Sequence, residues 1–348
     1  MPTLTTKEVI RSLDEGSQGC KKRLAGLEAR RYYKGPRAVV FGDALVDRIC
    51  GIDQMPEAGG EAVIRSSARL PGGAGLNAST GLARLGIPCS LVTTVGDDED
   101  GRYLRRHLEA AGVDLSYVAS EGATGYVLSF ADSSGERTMF SWRGAASIPV
   151  GMTPGLEDAL RSAPLLLVSG YGLHDDEQAA LYLRAAETAG TAGGVVAFDP
   201  APIVSQLPGR IVERMIAVAD VLVANASELR AISGCEAMES GIQAMLQRVP
   251  CLGLKLGRLG SIVALGPGAA ASRIPGVSGL SPGELGPVVL ECPADPVSAV
   301  DTTGAGDAFN AGFLAALLCG MPPRAWGEWG NASAARAILE KGVRPGKA

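Results

Sequence analysis

Short apolar runs alternate along this chain with stretches of helical periodicity, and the alternation sets the expected architecture. Residues 37–41, 89–95, 164–169, 194–198, 220–224, 251–256 and 261–265 are strand-like runs that are mostly apolar. A strand half open to water would alternate instead, so these read as strands buried on both faces. Helical patterns lie between several of them, at 74–85, 99–111, 175–189, 209–218 and 239–248. Strand, helix, strand with buried strands predicts an α/β protein whose mainly parallel sheet is covered by helices on both sides.

Two regions break this rhythm. Residues 61–70 and 125–142 alternate apolar and polar positions with β-branched and aromatic side chains, and Asp132-Ser133-Ser134-Gly135 reads as a hairpin turn. They predict a small antiparallel sheet apart from the main one, a lid flanking the glycines at 72–75. Residues 266–287, rich in Gly, Pro, Ala and Ser, read as a surface loop. Residues 1–35 read as a separate extension, expected to hold one or two amphipathic helices, and Pro36 opens the body, 36–348.

Composition narrows the class of partner. With 46% apolar residues the chain has ample core, while a net charge of −5 argues against nucleic acid or an anionic membrane surface. The apolar run at 311–319 is too short to cross a bilayer. The first 34 residues carry no apolar targeting segment. Seven cysteines stand far apart with no C-x-x-C pair. We read them as reduced core thiols, and the protein as cytoplasmic.

The most informative segment is Asp301-Thr302-Thr303-Gly304-Ala305-Gly306-Asp307, between a β-rich stretch (288–300) and a helix-compatible one (308–319). A glycine-rich turn opening a helix aims free N–H groups at one point, with the positive end of the helix dipole behind them, an arrangement suited to phosphate. Asp307 would sit in the first helical turn. A carboxylate beside a phosphate cradle suits a base that takes a proton from an attacking hydroxyl. The plainer alternative is a helix N-terminus capped by Asp301 and Thr302.

Other candidates each carry two readings. Gly72-Gly73-Ala74-Gly75-Leu76-Asn77 opens a helix and matches the dinucleotide fingerprint superficially, but the segment before it reads as lid. Glycines allowing close backbone approach, with Asn77 as donor and acceptor, suit a polyhydroxylated ligand. Asp43 and Asp47 follow the first strand, where they would contact sugar hydroxyls or merely cap a loop. Asn225-x-x-Glu228 is either an oxygen pair holding Mg²⁺ through water or a capping box. Lys255-Leu256-Gly257-Arg258-Leu259-Gly260 joins two strands, as a nucleotide-lining turn or as a turn only. No Walker P-loop occurs.

In order and spacing these motifs resemble those of the ribokinase-like carbohydrate kinases, the PfkB family. The run from Gly72 to Ser79, with Gly86 and Gly96 beyond it, resembles one family signature, and Asp301 to Leu314 resembles the other. The resemblance covers roughly 37–345 and leaves 1–35 outside it. It implies a three-layer α/β/α ribokinase-like fold with a mainly parallel central sheet and a small β-sheet lid that often mediates dimerisation. It also implies ATP-dependent phosphorylation of a small sugar, with Mg²⁺. By position, Asp307 looks like the catalytic base and Gly304, Ala305 and Gly306 like the anion hole. Asp43, Asp47, Gly73 and Asn77 look like sugar contacts. Asn225 and Glu228 look like the metal and phosphate region, and Lys255, Gly257, Gly260 and Asn331 like nucleotide contacts. A monovalent cation such as K⁺ is common beside the anion hole. Asp301, Thr303 and carbonyls at 341–344 would be its ligands. A neutral monosaccharide is the favoured substrate, with a sugar acid or a nucleoside as alternatives. Arg143 in the lid would pair with a sugar-acid carboxylate, bind ATP phosphate or stay solvated. A catalytically inactive sugar sensor is the alternative of a different class.

Overall fold

The computed structural model describes residue 29 and residues 32–340, apart from 134–136, 268, 270–272, 278–287 and 298–302. The chain enters the body through β1 (Ala38–Phe41), leaves it for β2 (Leu45–Gly51) and β3 (Ser66–Gly72), and returns through α1 (Ala74–Leu85) to β4 (Cys89–Val95). Helix α2 (Glu99–Ala111) and β5 (Val118–Ser120) precede a second excursion, the hairpin of β6 (Thr124–Ala131) and β7 (Arg137–Gly144). A regular alternation follows: α3 (Pro154–Ser162), β8 (Leu165–Ser169), α4 (Asp176–Thr191), β9 (Val195–Asp199), α5 (Gly209–Val218) and β10 (Val221–Asn225). Helices α6 (Ala226–Ser233) and α7 (Met238–Leu246) lead to a second hairpin, β11 (Cys251–Lys255) and β12 (Ser261–Leu265). The chain closes with β13 (Val288–Cys292), α8 (Ala305–Leu318) and α9 (Pro323–Glu340).

The main sheet runs β13-β12-β11-β10-β9-β8-β1-β4-β5. It is parallel from β11 to β5, and only β12 and β13 add antiparallel pairs. Successive side chains of one strand feed opposite faces. Ala38 and Val40 join Leu76, Leu82, Phe313 and Trp326 on one side, while Val39 and Phe41 join Leu183, Met215 and Met245 on the other. That double burial is what the mostly apolar runs foretold. Helix α1 and the hairpin strands β11 and β12 start or end within a residue of the expected bounds. Strand β5 and helices α3 and α9 go beyond the expected elements, and α6 was signalled only by the capping-box reading of Asn225 and Glu228. Helix α6 begins at the residue after the end of β10, with Asn225 as its N-cap, so no loop separates the two patterns.

The second sheet is the lid, in the order β3-β2-β6-β7. Three expectations about it need correcting. Strand β3 starts at Ser66 rather than 61, and Leu45–Gly51, expected as a loop after the first strand, is strand β2. The sheet is also mixed, because β2 and β6 pair in parallel. The expected turn falls at the described end of β6, but 134–136 lie outside the described residues, as does most of the extension 1–35. Ala29 is buried, with its carbonyl 4.0 Å from Cys319 Sγ.

Candidate active site

Parallel strands leave their backbone groups open at the C-terminal edge of the sheet, where ligands of open α/β proteins bind. Here the ends of β1, β8, β9, β10 and β11 deliver Asp43, Ser169, Asp199, Asn225 and Lys255 to one cavity of about 860 Å³. The lid roofs it. Along β7 the side chains at 137, 139, 141 and 143 all face the cavity, while Phe140 and Trp142 are exposed. This is the two-residue period of a strand. The cavity brings together most of the residues singled out above: Asp43, Asp47, Gly73, Asn77, Arg143, Asn225, Glu228, Lys255, Gly257, Thr303, Gly304, Gly306 and Asp307. Ala305 is the first residue of α8. Gly260 and Asn331 do not line it. A Cβ at Gly260 would stand 2.1 Å from the Cys292 carbonyl, and Asn331 donates to that same carbonyl at 2.7 Å. Asp301 and 341–344 lie outside the described residues.

Two glycine-rich helix N-termini meet at this cavity, and they differ in one respect. At α1 the N-cap is Gly73, held at φ 97°, and the carboxylate of Asp43 caps the helix from outside it. Asp43 Oδ1 accepts from the amides of Ala74 at 2.8 Å and Gly75 at 3.4 Å. Asp43 is 3% exposed and its other oxygen meets Arg143 Nη1 at 2.7 Å. Arg143 also lies over the Tyr171 ring at 5.1 Å. The loop-capping reading of Asp43 therefore holds for one oxygen, and Arg143, expected to be free for a substrate carboxylate or solvated, is partnered by Asp43. At α8 the N-cap is Gly304, at φ 74°, with no side chain to spend on the amides that follow. The end left without a side-chain cap is therefore α8, whereas α1 already has a carboxylate at its N-terminus.

Asp307, in the first turn of α8, accepts from Asn77 Nδ2 at 2.9 Å. Burial pushes its carboxyl up to about 7, Asn77 works against this, and Asp199 adds to it. Asp47 rides on the lid strand β2 rather than in a loop. Its carboxylate lies across Gly72, where any Cβ would be 2.3 Å from Oδ2, so only glycine fits opposite it. Arg137 at the other end of β7 donates to Thr303 Oγ1 at 2.7 Å.

The Asn225–Glu228 pair forms the capping box of α6. Glu228 accepts from the amide of Asn225 at 2.8 Å and from its Nδ2 at 2.6 Å, while Asn225 Oδ1 accepts from the Glu228 amide at 2.9 Å. Both residues nonetheless border the cavity. Glu228 is 3% exposed, and burial raises its carboxyl, with Lys255 opposing.

Sequence reading missed Asp199, Asn310 and Ser169. Asp199 Oδ2 accepts from Lys255 Nζ at 3.1 Å and from Asn310 Nδ2, and its Oδ1 accepts from the Ala201 amide at 2.9 Å. Its position at the end of a buried strand was the available signal. Asn310 stands three residues after Asp307, on the same helical face.

Comparison with known proteins decides the family. The model of the pfkB family carbohydrate kinases matches residues 36–347. The chain belongs to this family. Among its PfkB relatives, a Klebsiella pneumoniae fructokinase is 34% identical over 293 residues, covering 81% of this chain and 85% of that one. An ATP-dependent ribose-1-phosphate kinase of Halopiger xanaduensis is 34% identical over 312 residues, 88% of this chain and 94% of that one. A nucleoside kinase of Methanothermobacter thermautotrophicus is 28% identical over 88% of this chain and 90% of that one. The solved structure of Arabidopsis thaliana ribokinase with ribose and ATP superposes with a TM-score of 0.73 at 25% identity, over 88% of this chain and 94% of that one. The protein is thus a sugar or nucleoside kinase with the ribokinase-like fold. Among the described residues no helix is long and apolar enough to cross a membrane.

Proposed function

We propose that this kinase transfers the γ-phosphoryl group of ATP to a hydroxyl of a neutral monosaccharide, with Asp307 as general base. One observation carries the reading: a carboxyl pushed up to about 7 stands at the open N-terminus of α8, in the cavity. A base poised near neutral pH takes a hydroxyl proton efficiently. The amides of 304–306 would hold the transferring group. ATP, when bound, supplies that group, with ADP leaving, and Mg²⁺ neutralises its charge. The cavity fits them: its volume is ample, and the α8 N-terminus, with no side-chain cap, supplies positive potential at one end. Among the described residues no cluster of three or more His, Cys, Asp or Glu side chains could cage a metal ion. Mg²⁺ would therefore ride on the phosphates and reach Glu228 through water.

Neutral substrates are favoured because Arg143 is already paired with Asp43. A sugar carboxylate would have to displace a buried partner. Asp47, Asn77 and Ser169, whose buried hydroxyl has no hydrogen-bond partner, line the cavity where sugar hydroxyls would bind. An ADP-release screen across hexoses, pentoses, sugar acids and nucleosides tests the reading. Turnover should be highest on a neutral hexose or pentose. Preference for a sugar acid or a nucleoside by tenfold or more in kcat/KM would overturn it.

A further inference from the structure

Lys255 is the last residue of β11, and its ammonium is held from two sides inside the protein. Nζ donates to Asp199 Oδ2 at 3.1 Å and to Asn310 Oδ1 at 3.4 Å, with the lysine side chain only 14% exposed. Asn310 in turn donates to Asp199 Oδ2, which closes a triangle of three buried side chains from β11, β9 and α8. The anchor is itself constrained. Asp199 Oδ1 accepts from the amide of Ala201, which stands at φ 60°, a left-handed conformation that non-glycine residues rarely adopt. An ammonium has three N–H donors, and Asp199 and Asn310 take two. Nζ also stands 3.7 Å from the point where a Cβ on Gly306 would be, and Lys255, Gly304 and Gly306 line the same cavity.

We propose that Lys255 is a further catalytic residue, its ammonium forming the floor of the anion site whose walls are the amides of 304–306. This narrows the nucleotide contact, to phosphates or base, that its place before a glycine turn had suggested, to the transferring phosphoryl group itself. The structural alternative is a buried ion pair that merely ties β9, β11 and α8 together. Two features favour chemistry. A pair of buried charges contributes little net stability against apolar residues of the same shape. And one donor of Lys255 remains beside the amides of α8, where charge on a transferring phosphoryl group would collect. Lys255 neither gives nor takes the proton, which passes from the acceptor hydroxyl to Asp307.

This inference rests on the phosphoryl-transfer reading above, so its test needs a readout independent of the sugar. The probes are ADP and the non-hydrolysable analogue AMP-PNP, each with Mg²⁺, bound to the full chain. Lys255→Met should leave the ADP dissociation constant within about threefold and weaken AMP-PNP by tenfold or more. On a substrate found by the screen, kcat should fall by about 10²-fold, the typical effect of losing one donor to a transition-state oxyanion, while sugar KM changes little. Lys255→Arg, which keeps the charge, should recover at least a tenth of wild-type kcat. Lys255→Met alone orphans Asp199 and is at risk of misfolding. The double variant Lys255→Met/Asp199→Asn removes both charges, should fold, and should show the same selective loss of AMP-PNP. If that double variant binds AMP-PNP and ADP in the wild-type ratio, Lys255 is structural and the proposal fails. If wild type phosphorylates no monosaccharide while the selective AMP-PNP loss appears, the sugar reading fails and Lys255 keeps its role.

Discussion

Asn77 Nδ2 donates to Asp307 Oδ2 at 2.9 Å, joining residues 230 positions apart in the chain. The bond ties the first turn of α8 to α1, so the two glycine-rich motifs act on one carboxylate. Donation to an anion favours the charged form and opposes the burial that raises Asp307. Asn77→Leu should therefore push the lower limb of the pH–rate profile upward and reduce kcat at pH 7. Loss of a hydrogen bond to a charged group costs about 1.5–3 kcal/mol, so the fold should survive. A profile that superposes on wild type would show that Asn77 serves the sugar alone.

The proton affinity of Asp307 makes a second prediction with a definite sign. As the base it must be ionised, so kcat/KM should rise with pH through about 7 and level off above. Asp307→Asn should lose roughly 10²- to 10⁴-fold in turnover while still binding AMP-PNP. Stability runs the other way. A carboxyl raised in the folded state binds its proton more tightly there than in the unfolded chain. Its contribution is complete below about 4 and is lost as pH rises through about 7. The melting temperature of Asp307→Asn relative to wild type should therefore be higher at pH 8 than at pH 5. A pH-independent difference, or near-normal turnover, would remove Asp307 from the role of base.

Much of this site was legible in the sequence because backbone demands constrain residue type locally. Gly73 and Gly304 need positive φ, and Asp307 lies within the same turn as its amides. What was not legible depended on distant pairs. Nothing near Arg143 indicates that Asp43, a hundred residues away, would take its charge. Nor does any local pattern join Lys255 to Asp199 and Asn310. The lid strand Leu45–Gly51 escaped because its period-two signal is short and follows β1 after three residues. For the fold, buried parallel strands gave a strong local signal. Short helix α6 gave almost none apart from its capping box.

Glu228 tests whether a capping residue also serves the metal. Both its carboxylate oxygens are taken by Asn225. Glu228→Gln can accept only one of those bonds, so a loss of about 1 kcal/mol in stability is expected. If Glu228 also acts through water on Mg²⁺, the Mg²⁺ concentration for half-maximal rate should rise by about tenfold, the low end of outer-shell effects. A lower melting temperature with an unchanged Mg²⁺ titration would leave Glu228 as a helix cap.

The lid leads to the last prediction, because one face of it lacks a cover within the described chain. Helix α2 shields the β2–β3 half through Arg48–Asp100 at 2.8 Å and Arg69–Glu99 at 3.4 Å. The β6–β7 half has no such shield: Phe140 is 54% and Trp142 48% exposed, and β7 is the edge strand. A small sheet with a wet aromatic face is marginal in water, and an exposed edge invites pairing. We expect a second copy of the chain to cover this face, giving a lid-to-lid dimer in solution at micromolar concentration. Trp142→Glu should then yield monomers, since a buried charge opposes the contact. Its neighbours on β7, Ser141 and Arg143, face the cavity instead, so the substitution does not remove a site residue. Light scattering on both forms decides it. A wild-type monomer would leave the residues of the N-terminal extension as the remaining candidates for that cover. Proteolysis between β6 and β7 provides a second readout. A lid that closes over bound substrate would slow cleavage there in wild type, and equal cleavage with and without substrate would deny it a gating role.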